Sequence, residues 1–277
     1  MPRSLLAPAL TVLLVVGAAS TAAPAAGPNA AGTPPADAAA GGSSASGART
    51  APYAEALAQR GRSDADRARD ARDRPADLLA FAGVAPGMTV ADVFGGGGYY
   101  AEILAHVVGA DGRVLLVNNA PYVSFAGKDY QARFAEGRLS QVRRSVVESC
   151  DLGLAPESLD LAMIVMSYHD LYHHDPNGWP RIDADRFLEQ IRRAVKPGGA
   201  FLIVDHAARV GTGNSAAQDL HRIDEQFAIA DIERHGFALE KRWDGLRDAT
   251  DDRTLVVFDP KVRGRTDRFV HLYRRKS

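Results

Sequence analysis

The sequence predicts an α/β fold: a doubly wound, mostly parallel seven-stranded sheet with helices on both faces and an antiparallel C-terminal strand. Three observations predict it. From Pro75 onward, apolar runs of strand length alternate with helical stretches, the pattern of parallel strands joined by helical crossovers. Two of those runs, "SLDLAMIVMS" and "GAFLIVDH", are nearly continuous, as in strands covered on both faces. The last apolar stretches have no helix between them, and strands joined without a crossover pair antiparallel.

The N-terminus opens "MPRSLLAPALTVLLVVGAASTAAPA". Arg3 precedes an apolar run from Leu5 to Ala19, shorter than the ~20 residues of a spanning helix, and small residues follow. Residues 1–26 therefore read as a signal peptide that directs the chain to the periplasm or outside the cell, with an uncleaved membrane anchor as the alternative. Residues 27–50 are Ala, Gly, Pro and Ser with almost no large apolar side chain, the composition of a disordered linker. A single domain is expected over 51–277, starting with a helical extension at 51–74.

Within it, Leu78, Leu79 and Phe81 mark a short helix that stops near Gly83. "PGMTVADVF" reads as turn and strand. "YYAEILAHVVG" carries Ile103, Leu104, Val107 and Val108 at helical spacing, with Gly109 at the C-cap. "GRVLLVNN" is a second strand, Val123 to Phe134 a helical region, and "QVRRSVVE" a third strand. After "SLDLAMIVMS", the amphipathic "DADRFLEQIRRAV" ends at the turn "KPGG" and leads into "GAFLIVDH". "SAAQDLHRIDEQFAIADIERHG" reads as a long helical region, broken or continuous. "FALEKRWD", "RTLVVFD" and "RFVHLYRR" are three strand-like endings.

The chain has 277 residues, 46% hydrophobic and 24% charged, ordinary for a globular protein. Its net charge of −1 argues against a general nucleic-acid binder. Cys150 is the only cysteine, so no intramolecular disulfide can form; it is expected as a small buried hydrophobe.

"VADVFGGGGYYAEIL" carries the chemistry. A strand, a glycine loop and a helix make a seat for an anion or nucleotide, because bare backbone admits close approach and the helix start offers free N–H groups. Gly96 to Ala101 satisfies the dinucleotide pattern G-x-G-x-x-A of Rossmann-like folds. Asp92 discriminates between ligands: a carboxylate here disfavours a pyrophosphate and favours an ammonium or sulfonium group. Phe94 is expected to have backbone angles suited to a β-carbon, so the turn should differ from an all-glycine one or begin at Gly95. Its ring either lines the pocket or packs beneath the loop.

This stretch resembles the first motif of class I S-adenosylmethionine-dependent methyltransferases. "LVNN", "VVESCDLGLAPESLDLAMIV" and "FLEQIRRAVKPGGAFLIVDH" follow in that family's order, and the likeness covers Pro75 to His206. The whole chain looks like a secreted or periplasmic branch of these proteins. The resemblance implies S-adenosyl-L-methionine as cofactor and a small molecule as acceptor. It implies that Asp92 holds the methionine amino end, that Phe94, Gly95, Gly96, Gly98 and Tyr99 border the cofactor, that Asn118 meets the ribose and that Glu148 and Ser149 meet the adenine. Phe94 stands where the family has a glycine, and Asn118 where it usually has an acid.

Ligands of open parallel sheets sit beyond the carboxyl ends of the strands. Tyr168, His169, Asp170, Tyr172, His173, His174 and Asp175 follow the fourth strand, Asp205 and His206 the fifth, and His221, Arg222, Asp224 and Glu225 come next. His169 is the expected general base, oriented by Asp170 or Asp205, with His206 beside them. His173 and His174 read as surface loop. Asp170, Asp205 and His206 also resemble the acid layout of catechol-type O-methyltransferases, which use magnesium. A histidine in that set shifts the preference to softer ions, and no H-E-x-x-H spacing appears; a divalent metal is permitted but not favoured. Lys261, Arg263, Arg265 and Arg268 form either a solvated loop or a clamp on an anionic acceptor. Neither a nucleic-acid partner nor a stable membrane span after signal cleavage is expected. Two other readings stay open. One is a nicotinamide-dependent oxidoreductase, against which Asp92 and the missing acid near Asn118 count. The other is an exported binding protein that keeps the fold without the chemistry.

Overall fold

A computed structural model describes residues 52–277; the expected signal peptide and linker lie outside the described residues. The strands are β1 (Thr89–Val93), β2 (Arg113–Asn118), β3 (Val142–Val146), β4 (Leu159–Val165), β5 (Val195–His206), β6 (Phe237–Arg242) and β7 (Arg268–Arg275). They form one sheet in the order β3-β2-β1-β4-β5-β7-β6. β1 to β5 pair in parallel, and β7 runs antiparallel to both β5 and β6. The helices are α1 (52–57), α2 (Asp64–Asp73), α3 (Pro75–Ala82), α4 (Tyr99–Val108), α5 (Ala120–Arg133), α6 (Ala184–Ala194), α7 (Ala216–Leu220) and α8 (Glu225–Arg234).

Continuous apolar strands serve two cores at once, because successive side chains leave opposite faces of a sheet. Val90, Leu161, Met163, Leu202 and Val204 pack on α3 and α4. Ala91, Val93, Ala162, Ile164, Phe201 and Ile203 pack on α6 and α8. Aspartates set two of the helix starts on the second face: Asp183 accepts from Arg186 N and Asp224 from Gln226 N. No described helix is long and apolar enough to cross a membrane.

Three local expectations change. "KPGG" lies inside β5, where the pairing with β4 shifts register between Leu159 and Leu161, so the turn is absorbed as an irregularity of the strand. The long helical region is broken between α7 and α8: His221 turns left-handed (φ 52°), and Ile223 donates to His206 O while its own carbonyl accepts Ala208 N. "RTLVVFD" forms no strand. Both edges of β7 are already paired, and Asp252 and Asp259 close local turns by accepting from Thr254 N and Lys261 N.

The N-terminal extension is part of the fold. Asp73 at the end of α2 pairs with Arg69 (2.5 Å) and with Arg268 of β7 (2.8 Å). Arg268 is thus buried in a structural pair, while Lys261, Arg263 and Arg265 are exposed.

Candidate active site

Asp92, one residue before the end of β1, is only 1% exposed. Its Oδ2 is buried without a hydrogen-bond partner. Gly95 passes directly over it: a β-carbon there would fall 2.3 Å from Oδ2, so only glycine fits. Burial pushes the carboxyl up to about 7, opposed by the Ala101 N–H and by Arg69 and Arg133. A cation brought to this carboxylate would satisfy it.

Phe94 departs from expectation. It keeps the left-handed conformation that a glycine would adopt (φ 56°). Its ring packs beneath the loop, stacked on Tyr122 (4.6 Å between centroids) and against Phe187 (5.1 Å). The left-handed conformation costs about 1–2 kcal/mol, less than the ~3–5 kcal/mol that a buried Phe contributes.

Asn118 also differs. Its Oδ1 accepts Gly96 N (3.0 Å) and its Nδ2 donates to Gly96 O (2.9 Å). Both ends of the amide hold the glycine loop in place of a ribose. A carboxylate could accept but not donate, which explains why an amide suits this position. Tyr99 turns away from the loop as well: its hydroxyl donates to Asp70 (2.6 Å) and its ring lies under Arg69 (4.0 Å), docking α2. Glu148 is exposed and Ser149 half-buried beyond β3; the Ser149 carbonyl accepts from Gln190 (3.2 Å). Cys150 is exposed, not buried, because it lies in the turn closed by the Glu148–Asp151 bridge.

α5 crosses the outer face of the loop. A β-carbon on Gly96 would touch Tyr122 at 4.0 Å and one on Gly97 would touch Asp129 at 3.5 Å. Arg133 donates to Gly97 O (2.7 Å) and pairs with Asp66 and Glu102. α5 therefore covers the outer face of the glycine loop, while Asp92 offers one unpartnered carboxylate oxygen to a cation.

Tyr122 links this loop to a second cluster, since its hydroxyl donates to Asp170. His169 sits at the centre. Asp205 accepts from both its backbone N–H and its Nδ1, each at 2.7 Å. Its Nε2 stands 3.3 Å from Asp170, and His221 Nδ1 stands 3.5 Å from the same oxygen. Burial pulls the His169 pKa down, but Asp170 and Asp205 outweigh it and push it up to about 9. His206 faces Thr266 (2.6 Å), and burial together with the His169 charge holds it neutral. His173 stacks near His221 (4.5 Å) with its Nδ1 buried and unpartnered, rather than lying free on the surface.

The structure therefore brings together His169, Asp170, Asp205 and His206, and it adds Tyr122 and His221. Nothing in "APYVSF" singled out Tyr122. His221 was legible as a histidine of "LHRIDE", but only the break after α7 turns it inward.

Residues 91–203 match the family model described as "Methyltransferase domain". A curated relative, the ubiquinone/menaquinone biosynthesis C-methyltransferase UbiE of Hydrogenovibrio crunogenus, is 26% identical over 127 residues, 46% of this chain and 45% of that protein. The chain thus spans about half the length of the curated relative it matches. A solved S-adenosylmethionine-dependent methyltransferase from Aquifex aeolicus superposes with a TM-score of 0.52 at 19% identity, over 72% of this chain and 88% of that one. The [4+2]-cyclase SpnF superposes equally well (0.52, 16% identity, 84% and 94%).

Proposed function

We infer that the chain transfers a methyl group from S-adenosylmethionine to a small acceptor presented at the His169 cluster; the match of residues 91–203 to a methyltransferase domain and the shared fold support this reading. The buried, unpartnered Oδ2 of Asp92 beneath Gly95 carries the reading: it is built to receive a cation and repels a pyrophosphate. That same feature disfavours the nicotinamide alternative. When bound, the cofactor supplies an electrophilic methyl carbon. Asp92 would hold its ammonium end, and the glycine loop would let it lie close. Because α5 covers the loop, a ligand lying against the glycines would require α5 to shift, and Gly127, non-helical within α5 (φ 49°, ψ −122°), is the place to bend.

The acceptor side acts by position and charge. Asp205 fixes the His169 ring, and a charged imidazole beside an acceptor hydroxyl favours its ionised, nucleophilic form. Holding that oxygen in line with the methyl carbon does much of the remaining work. His169 thus serves as an electrostatic partner at neutral pH and as a base only when it is itself deprotonated. The apolar leader supports export of the chain, which N-terminal sequencing of the mature protein would test by the position of the first residue.

Calorimetry on the full chain with S-adenosylmethionine, S-adenosylhomocysteine and NAD tests the reading. Heat with both sulfur nucleotides and none with NAD is expected. No binding of either sulfur nucleotide at sub-millimolar concentration would sink it, and binding of NAD alone would favour the oxidoreductase.

A further inference from the structure

We propose that His169, Asp170 and His221 form a binding site for a divalent transition metal of the zinc class. One ligand atom from each lies within 4.8 Å of the others. The separations are informative. His169 Nε2 and His221 Nδ1 stand 3.3 and 3.5 Å from Asp170 Oδ1. Charge-assisted hydrogen bonds are shorter, ~2.7–2.9 Å. A tetrahedron with ligands about 2.0–2.1 Å from its centre has edges of about 3.3 Å. The two imidazole-to-carboxylate separations match the edges of such a tetrahedron, and the three atoms together lie within reach of one ion.

Their other atoms are committed in the way metal ligands require. Asp205 takes His169 Nδ1 at 2.7 Å, which leaves Nε2 to face the ion; the ion displaces the Nε2 proton and takes over the positive charge that the free imidazole carries. Tyr122 donates to the far oxygen of Asp170. Such outer partners fix the tautomer and aim of the ligands. His221 reaches Asp170 only through its left-handed backbone (φ 52°) at the end of α7, a conformation a non-glycine residue holds at a cost. His173 packs against the His221 ring (4.5 Å between centroids) and helps to hold it, but it lies outside the three-residue grouping. Two imidazoles and a carboxylate select a zinc-class ion over magnesium. A second grouping, Asp185, Asp231 and His235, has similar spacing, but Arg234 already neutralises both of its acids at 2.9 and 2.5 Å.

The site stands on its own geometry. Only its use, ionising and positioning the methyl acceptor, rests on the methyl-transfer reading. The test therefore leaves the cofactor out. The full chain is stripped with a chelator and titrated with Zn, Co and Mg ions by calorimetry, and the cobalt form is read by visible absorption. Expected are one equivalent of tightly held zinc, none of magnesium, and the intense visible bands of tetrahedral cobalt. Affinity should fall by roughly 10–100-fold in Asp205→Asn and Tyr122→Phe, which keep all three ligands, and further in His221→Ala. His174→Ala should bind as the parent does. The Tyr122→Phe arm guards against a ligand variant that fails to fold, and near-ultraviolet circular dichroism checks each. Zinc binding that is absent, or unchanged in both His221→Ala and Tyr122→Phe, would overturn the proposal. A separate titration with S-adenosylhomocysteine shows whether the two sites fail together or apart.

Discussion

Asp92 stands one residue before the end of β1 with one carboxylate oxygen buried and unpartnered, under a glycine that leaves no room for a side chain. Its folded pKa of about 7 lies above the unfolded value of about 3.9. The stabilising proton is therefore fully present below about pH 4 and is lost as the pH rises through 7. The ligand-free chain should gain stability from Asp92→Asn at about pH 8, by about 1–3 kcal/mol, and little at about pH 4. Urea denaturation at the two pH values checks this, and a loss of stability at the higher pH would count against it. Phe94 balances in the opposite sense. Phe94→Gly relieves about 1–2 kcal/mol of backbone cost but removes ~3–5 kcal/mol of packing between Tyr122 and Phe187. A net loss of about 2 kcal/mol is expected from the same measurement; a more stable variant would show that the ring adds little. Both residues stand out in the sequence, as does Asn118. The reading of Asp92 as a cation's partner came from the sequence; the contacts of Phe94 and Asn118 did not, because each is set by a distant partner: Tyr122 and Phe187 for Phe94, and the Gly96 backbone for Asn118.

α5 is the element on which cofactor entry depends. Tyr122, Asp129 and Arg133 lie against the glycine loop, and Gly127 interrupts the helix between them. Hydrogen exchange should show the amides of 120–133 changing protection on addition of S-adenosylhomocysteine, while β4 stays unchanged. Identical exchange with and without ligand would mean that α5 does not move to admit it. A helical region at Val123 to Phe134 was expected, close to the observed Ala120–Arg133, but its place over the loop was not legible, since local sequence does not give a helix its destination. The strands were the most legible elements: β4 and the second half of β5 are apolar on both faces and could only be central. "RTLVVFD" carried the same β-branched signal and failed as a strand: both edges of β7, the strand that follows it, are already paired, and its aspartates offered the backbone nearer partners.

At the scale of the molecule, the extension before Pro75 is fastened to the opposite end of the chain. Asp73 pairs with Arg268, and Asp70 receives both Arg62 and Tyr99. Removing one partner of a buried pair typically costs ~3–5 kcal/mol. Arg268→Ala should fall at or below the low end of that range, because Arg69 still faces Asp73, and limited proteolysis should then cut within α2. An uncut, equally stable variant would show that the extension is held by other contacts. Sequence spacing pointed to helix at 51–74 but gave no sign of this long-range pair. The fold alone does not assign the chemistry, since a protein described as a [4+2]-cyclase shares it; the assignment rests on Asp92. The most direct test is the affinity for S-adenosylhomocysteine at about pH 6 and pH 8, in the parent chain and in Asp92→Asn. With a carboxyl at about 7 that must ionise to bind, the parent should bind about tenfold more weakly at the lower pH. Asp92→Asn should bind weakly at both, with no pH dependence. Equal, pH-independent affinity in the two proteins would contradict the account.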